Sequence, residues 1–164
     1  MGMQLPTGLR KFMDMSGRHW PMSDEEKLLK IGLAWLGMSG DMGRLTGDAA
    51  TFAAGTWAAQ EGDGITAARD VWEAADSPYK NLVDGLTGAD VVGLGLMVCA
   101  AIVLVLKVNF VVQLIQLALQ LFQAMAAVPA TMGASTLQVP ALMEITGRLL
   151  DLCVTVAMNG VMGG

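Results

Sequence analysis

The sequence predicts an all-α protein: a long antiparallel helical hairpin, extended by long apolar helices into a bundle, within a single domain spanning residues 1–164. Three observations point that way. Apolar residues recur in steps of three and four, the spacing of one helix face. No run carries the alternation and turn residues of a β-hairpin. From Val91 to Val128 the only charged residue is Lys107, so this part of the chain reads as one long apolar helix, or as two joined near Lys107 and Asn109.

The elements follow in order. Residues 1–22 form an N-terminal arm. Leu5, Leu9, Phe12 and Met13 can share a face, and Pro6 and Gly8 keep its start irregular. The segment 23–86 reads as the hairpin with a short extra helix. Ser23 and Glu26 have capping-box spacing, and Asp24, Glu25 and Glu26 crowd a first turn that favours negative charge. Leu28, Ile31, Trp35, Met38, Met42 and Leu45 then step by three and four, a heptad-like seam suited to another helix. Gly37, Gly40, Gly43 and Gly47 lie along the same helix. Each costs up to about 1 kcal/mol against alanine, a cost that close approach of a second backbone could offset. The hairpin turns at Glu61–Gly64. Gly62 is the turn glycine, Trp57 and Trp72 are the large anchors, Trp20 and Trp35 likewise read as core anchors of the hairpin and not as a ligand cage, and Ser77-Pro78 reads as a cap and first helical residue. The apolar helix or helix pair occupies 88–128. Pro129, Gly133 and Pro140 interrupt the pattern, and a last helix covers 140–158, with Leu142, Ile145, Leu149, Leu152 and Val156 as its apolar face and a flexible tail after it.

At 54% hydrophobic and 15% charged residues, with mean hydropathy +0.52, the chain is too apolar for an ordinary soluble domain. A net charge of −5 with no basic stripe argues against nucleic acid. One histidine, His19, excludes multi-histidine metal sites and histidine-based triads as ordinarily built. Cys99 and Cys153 sit in apolar runs and read as small hydrophobes, although spacing alone leaves a disulfide open. Glu25, Glu26, Asp63, Asp70, Asp84 and Asp90 read as caps and solvated faces. Thr51, Ser77 and Ser135 have no base nearby, and the glycines of Gly88–Leu96 follow no strand. No catalytic, cofactor-binding or metal-binding residue is assigned, no small-molecule substrate is expected, and the chain is read as a non-enzyme. Met1 to Ser16 has no apolar signal core. Any export is therefore expected to proceed without a cleaved signal peptide.

The segment Asn109–Met125 carries five uncharged amides, Asn109, Gln113, Gln116, Gln120 and Gln123, in steps of four, three, four and three. At 100° per residue they fall within an arc of about 80°, with Lys107 nearly opposite. Three readings stand: the exposed strip of a helix wrapped by others, an inward-turned seam of a helix in lipid, or the lining of a water-filled pore. The expected partners are accordingly a helical protein or further copies of the chain, with membrane contact as the rival. The thirteen methionines suit adaptable contact surfaces.

Several stretches resemble a known family. These are LPTGLR at Leu5–Arg10, GRHWPMSDEEKLLKIGLAW at Gly17–Trp35, an alanine-rich helix, EGDGITAARDVW at Glu61–Trp72, and VPATMGASTLQVPALMEITGRLL at Val128–Leu150. In this order, over nearly the whole chain, they resemble the WXG-like N-terminal domain of actinobacterial type VII-secreted polymorphic toxins, the outer membrane channel and necrosis-inducing toxin group. The resemblance implies a helical hairpin extended by apolar helices, a delivery role, a small WXG-type helical partner, and a secreted or cell-envelope location. The chain departs from the family at two places. Gln60 stands where the Trp-x-Gly tryptophan belongs, beside Gly62 and three residues after Trp57. Val83, not an acid, lies four residues beyond Tyr79, the only tyrosine.

Overall fold

Among the described residues the chain forms five α-helices, α1 (Thr7–Met15), α2 (Glu25–Ala59), α3 (Asp63–Glu73), α4 (Pro78–Ala126) and α5 (Val139–Met162), with a 3-10 turn at Ala134–Gln138. The computed structural model describes residues 2–131 and 133–163, and no strand occurs among them. Met1, Met132 in the expected Pro/Gly break, and Gly164 in the expected tail lie outside the described residues. The all-α class is as the sequence predicts. The chain divides into two compact units, Leu28–Val98, and the residues up to Lys27 together with those from Cys99 onward.

In the unit Leu28–Val98, α2 turns at Gly62 into α3. Gly62 has φ 134°, a backbone that L side chains rarely adopt, and its carbonyl accepts from Ile65 N and Thr66 N at 3.0 Å each. Trp72 stacks on Tyr79 (centroids 4.6 Å, 20°) across the joint between α3 and α4. Ser77 caps α4 as its pairing with Pro78 predicts, accepting from Lys80 N at 3.2 Å. The first half of α4 then runs antiparallel to α2. Gly32 opposes Gly93, and Ser39 Oγ donates to Leu86 O at 3.4 Å.

The buried residues of α2 are Gly32, Ser39 and Thr46, one every seven residues; Gly32 meets the buried Gly93 of α4 and Ser39 reaches Leu86. A Cβ on Gly32 would sit 2.8 Å from Gly93 O, and one on Gly93 3.0 Å from Gly32 O. The two backbones approach as closely as glycine allows. Glycine does serve close packing here, but at Gly32. A Cβ on Gly37, Gly40, Gly43 or Gly47 would meet nothing within 4 Å, so those four gain no packing in return for their helix cost.

The other unit is built on the second half of α4. Met13, Phe110, Leu114 and Leu150 form its buried core, with Leu5, Leu9, Phe12, Trp20, Leu106 and Cys153 packed around them. The N-terminal arm therefore uses the face its sequence pattern predicts. Ser16 closes α1 by donating from Oγ to Met13 O at 2.7 Å, and Gly17 (φ 69°) reverses the chain. Arg18 Nε reaches Asp151 Oδ1 of α5 at 2.6 Å. After α4, Gly133 (φ 89°) starts the 3-10 turn that leads into α5.

Four expectations need correction. The cap of α2 is made one residue late: Lys27 N donates to Asp24 Oδ1 at 3.1 Å, because the helix begins at Glu25 and Ser23 stays exposed. The short helix to residue 86 is not separate. It is the start of α4, which runs unbroken through Gly88, Lys107 and Asn109 to Ala126, and this settles one helix over two. The C-terminal helix begins at Val139 and continues to Met162, so Asn159–Met162 is helical. Finally, the tryptophans are not all hairpin anchors. Trp35 is exposed, and Trp20 belongs to the other unit, edge-on to Phe110 at 6.4 Å.

Candidate interaction surfaces

Small residues fill the interior of α2, which leaves the large apolar residues outside. Of the predicted seam, Ile31, Trp35, Met38 and Leu45 are exposed, and Leu28 and Met42 are half-buried. Lys30, Ile31, Ala34, Trp35 and Met38 line one shallow, almost wholly apolar depression. In α5 most of the predicted apolar face is likewise turned outward, although Leu150 beside it is buried. Thr146, Gly147 and Leu150 are buried, while Ile145, Leu149, Leu152 and Val156 are exposed and Leu142 is half-buried. Gly147 faces the arm: a Cβ there would make an ordinary contact with Ser16 O at 3.5 Å.

The second half of α4 has three sectors. At 100° per residue, Lys107, Phe110, Leu114, Leu117 and Leu121 span about 80°, and all are buried. Val108, Val112, Ile115, Leu119 and Phe122 span a second arc of about 80°, and all are exposed. The amide strip lies between them: Asn109, Gln116, Gln120 and Gln123 are exposed and Gln113 is half-buried. Within 63–126, an 18-residue stretch reaches mean hydropathy 2.7 with 17% of it buried, long and apolar enough to cross a membrane. Alongside, Ala101, Ile102, Val105, Leu106 and Asn109 of α4 and Cys153, Val156, Ala157 and Gly160 of α5 border a groove of about 320 Å³.

The lone charge of the stretch Val91–Val128 is sealed. Lys107, its side chain 2% exposed, donates from Nζ to Glu25 Oε2 at 2.6 Å and to Met3 O at 3.1 Å. The ammonium also lies 5.9 Å from the Trp20 ring centroid. Glu25 accepts a further hydrogen bond from Met3 N. Gly2 is buried against Asp24 and Glu25. Burial opposes the charge of Glu25, but the bonds from Lys107 and Met3 outweigh it and hold its carboxyl below the usual range. The sequence marks Glu25 only as a first-turn acid, and the partners are 82 positions apart. The available signal is Lys107 itself, because one cation in an apolar run needs a buried partner.

Of the hairpin anchors, Trp57 and Trp72 are half-buried and Gly62 sits in the turn. Cys99 and Cys153 are free thiols. Among the described residues no group of three or more histidine, cysteine, aspartate or glutamate side chains could hold a metal ion. No family model matches the chain, and no curated protein or solved structure matches it either.

Proposed function

We propose that the chain is a non-enzymatic helical assembly module that works by helix–helix association through the outward seam of α2 and the outer apolar face of α4. The observation that carries this reading is the inversion: small residues inside, large apolar residues outside. Full burial of one Leu, Ile or Met side chain stabilises by about 1.5–3 kcal/mol, so a helix laid on Ile31, Trp35, Met38 and Leu45 has a large driving force. The resemblance to the WXG-like domains of type VII-secreted toxins supports a small WXG-type helix pair, or a second copy of the chain, as the covering element. It also supports a role in delivery of an effector and a secreted or envelope-associated location. The amide strip fits the same role, because amides beside an apolar face satisfy polar groups across a helical interface without introducing charge.

The test is the association state in detergent-free buffer by sedimentation. The chain should be oligomeric, or should form a discrete complex with a WXG-type partner. Ile31→Asp with Met38→Asp should disperse it while far-UV circular dichroism stays constant. A stable monomer that no partner engages would end the proposal.

A membrane-inserted or pore-forming state is the second reading. It is favoured by the exposed stretch of mean hydropathy 2.7 and by the internal neutralisation of Lys107, since an unpaired charge is costly in hydrocarbon. Flotation with liposomes and dye leakage distinguish it from protein–protein assembly.

A further inference from the structure

The arm that seals Lys107 has the construction of a removable part. Apart from its continuity into α2, three attachments hold it: apolar packing of Leu5, Leu9, Phe12, Met13 and Trp20, the exposed Arg18–Asp151 pair, and the bonds of Met3 to both members of the buried Lys107–Glu25 pair. The last is the most demanding. A buried pair contributes little against an apolar pair of the same shape, but losing one partner strands a charge and is strongly unfavourable. Here the stranded group would be an ammonium 2% exposed beneath Trp20. Detaching the arm is the direct way to return it to water.

We propose that residues 2–24 form a detachable clasp on α4, with the Glu25–Lys107 pair as its catch, and that opening it uncovers Phe110, Leu114 and Leu150 and unseals Lys107. The closed clasp withholds from partners part of the buried side of the second half of α4. Detachment itself is independent of what covers the outer faces, whereas its bearing on association rests on the assembly reading above.

Hydrogen exchange of the full chain, followed by mass spectrometry at neutral pH, tests this through two regions: α1 as the reporter and α3 as the control. Glu25→Gln leaves Lys107 unpaired and should speed α1 exchange about a hundredfold, the scale of a broken buried pair, with α3 unchanged. Adding Lys107→Met to Glu25→Gln removes the stranded charge and should restore α1 to within about tenfold of the native rate. Unchanged α1 exchange in Glu25→Gln would overturn the catch. A double variant as open as Glu25→Gln would place the effect on the Met3 bond instead of Lys107 and would also overturn it. Acceleration of α3 together with α1 would show that the arm does not open by itself, and the clasp would fall.

Discussion

Replacing Gly32 and Gly37 by alanine, one at a time, should move stability in opposite directions. The two glycines lie five residues apart on α2, and both are helical. Alanine at Gly37 meets nothing within 4 Å, so only the backbone gain remains, and the chain should become more stable by about 0.5–1 kcal/mol. Alanine at Gly32 makes the same gain but places its methyl 2.8 Å from Gly93 O and 3.0 Å from Met97 Cγ. Met97 can yield. The carbonyl cannot, because it belongs to the helix backbone. Overpacking of this kind costs about 1–3 kcal/mol, so the net change should be a loss of up to about 2 kcal/mol. With a urea slope of about 1–3 kcal/mol per molar, the two variants should differ in midpoint by on the order of 1 M when unfolding is followed at 222 nm. If Gly32→Ala stabilised as much as Gly37→Ala, the close approach of α2 and α4 and the small-residue interior built on it would be refuted.

Other outcomes follow from the same geometry. Glutamate at Gln116 and Gln120 should leave helix content unchanged, since both side chains are exposed, yet should weaken self-association or liposome binding measured by sedimentation or flotation. The Arg18–Asp151 pair should give a salt-sensitive contribution. The Arg18 guanidinium holds the Asp151 carboxyl below its usual range, so this contribution is present above the ordinary carboxylate pKa and lost as pH falls through the lowered one. Asp151→Asn should flatten that acid limb in a stability titration. Trp72→Ala should lose the stack on Tyr79, worth about 0.5–1.5 kcal/mol beyond area burial, and should raise exchange at α3 and the start of α4 without loosening α1.

Element type was legible in the sequence because it depends on local spacing and punctuation. Ser77-Pro78 opens α4, Gly62 makes the turn, and the arm face of Leu5, Leu9, Phe12 and Met13 meets the core. What was not legible is which side of α2 and α5 turns inward. A three–four repeat of large apolar residues marks a face but not what covers it. Here the interior goes to Gly32, Ser39 and Thr46, whose close fit depends on a second backbone distant in sequence. The amide strip was found as a strip, and three environments remained open for it. Its exposure follows from the placement of Lys107, Phe110 and Leu114 on the core side. The Lys107–Glu25 pair was hidden for a related reason: each partner already had a local explanation.

The spacing of Gly32, Ser39 and Thr46 has one more effect. Identical seven-residue intervals give α2 a row of evenly spaced small residues, along which a slim partner helix could slip by two turns and still find a small residue opposite it. A one-notch slip would bring Ser39 to the carbonyl of Gly93, where a Cβ in the position of Gly32 collides. Thr46, bulkier still, is shut out of that position in the same way. The alignment of the hairpin is thus selected by exclusion: only one notch is deep enough, and a single hydrogen atom in place of a methyl group decides where the two helices stop.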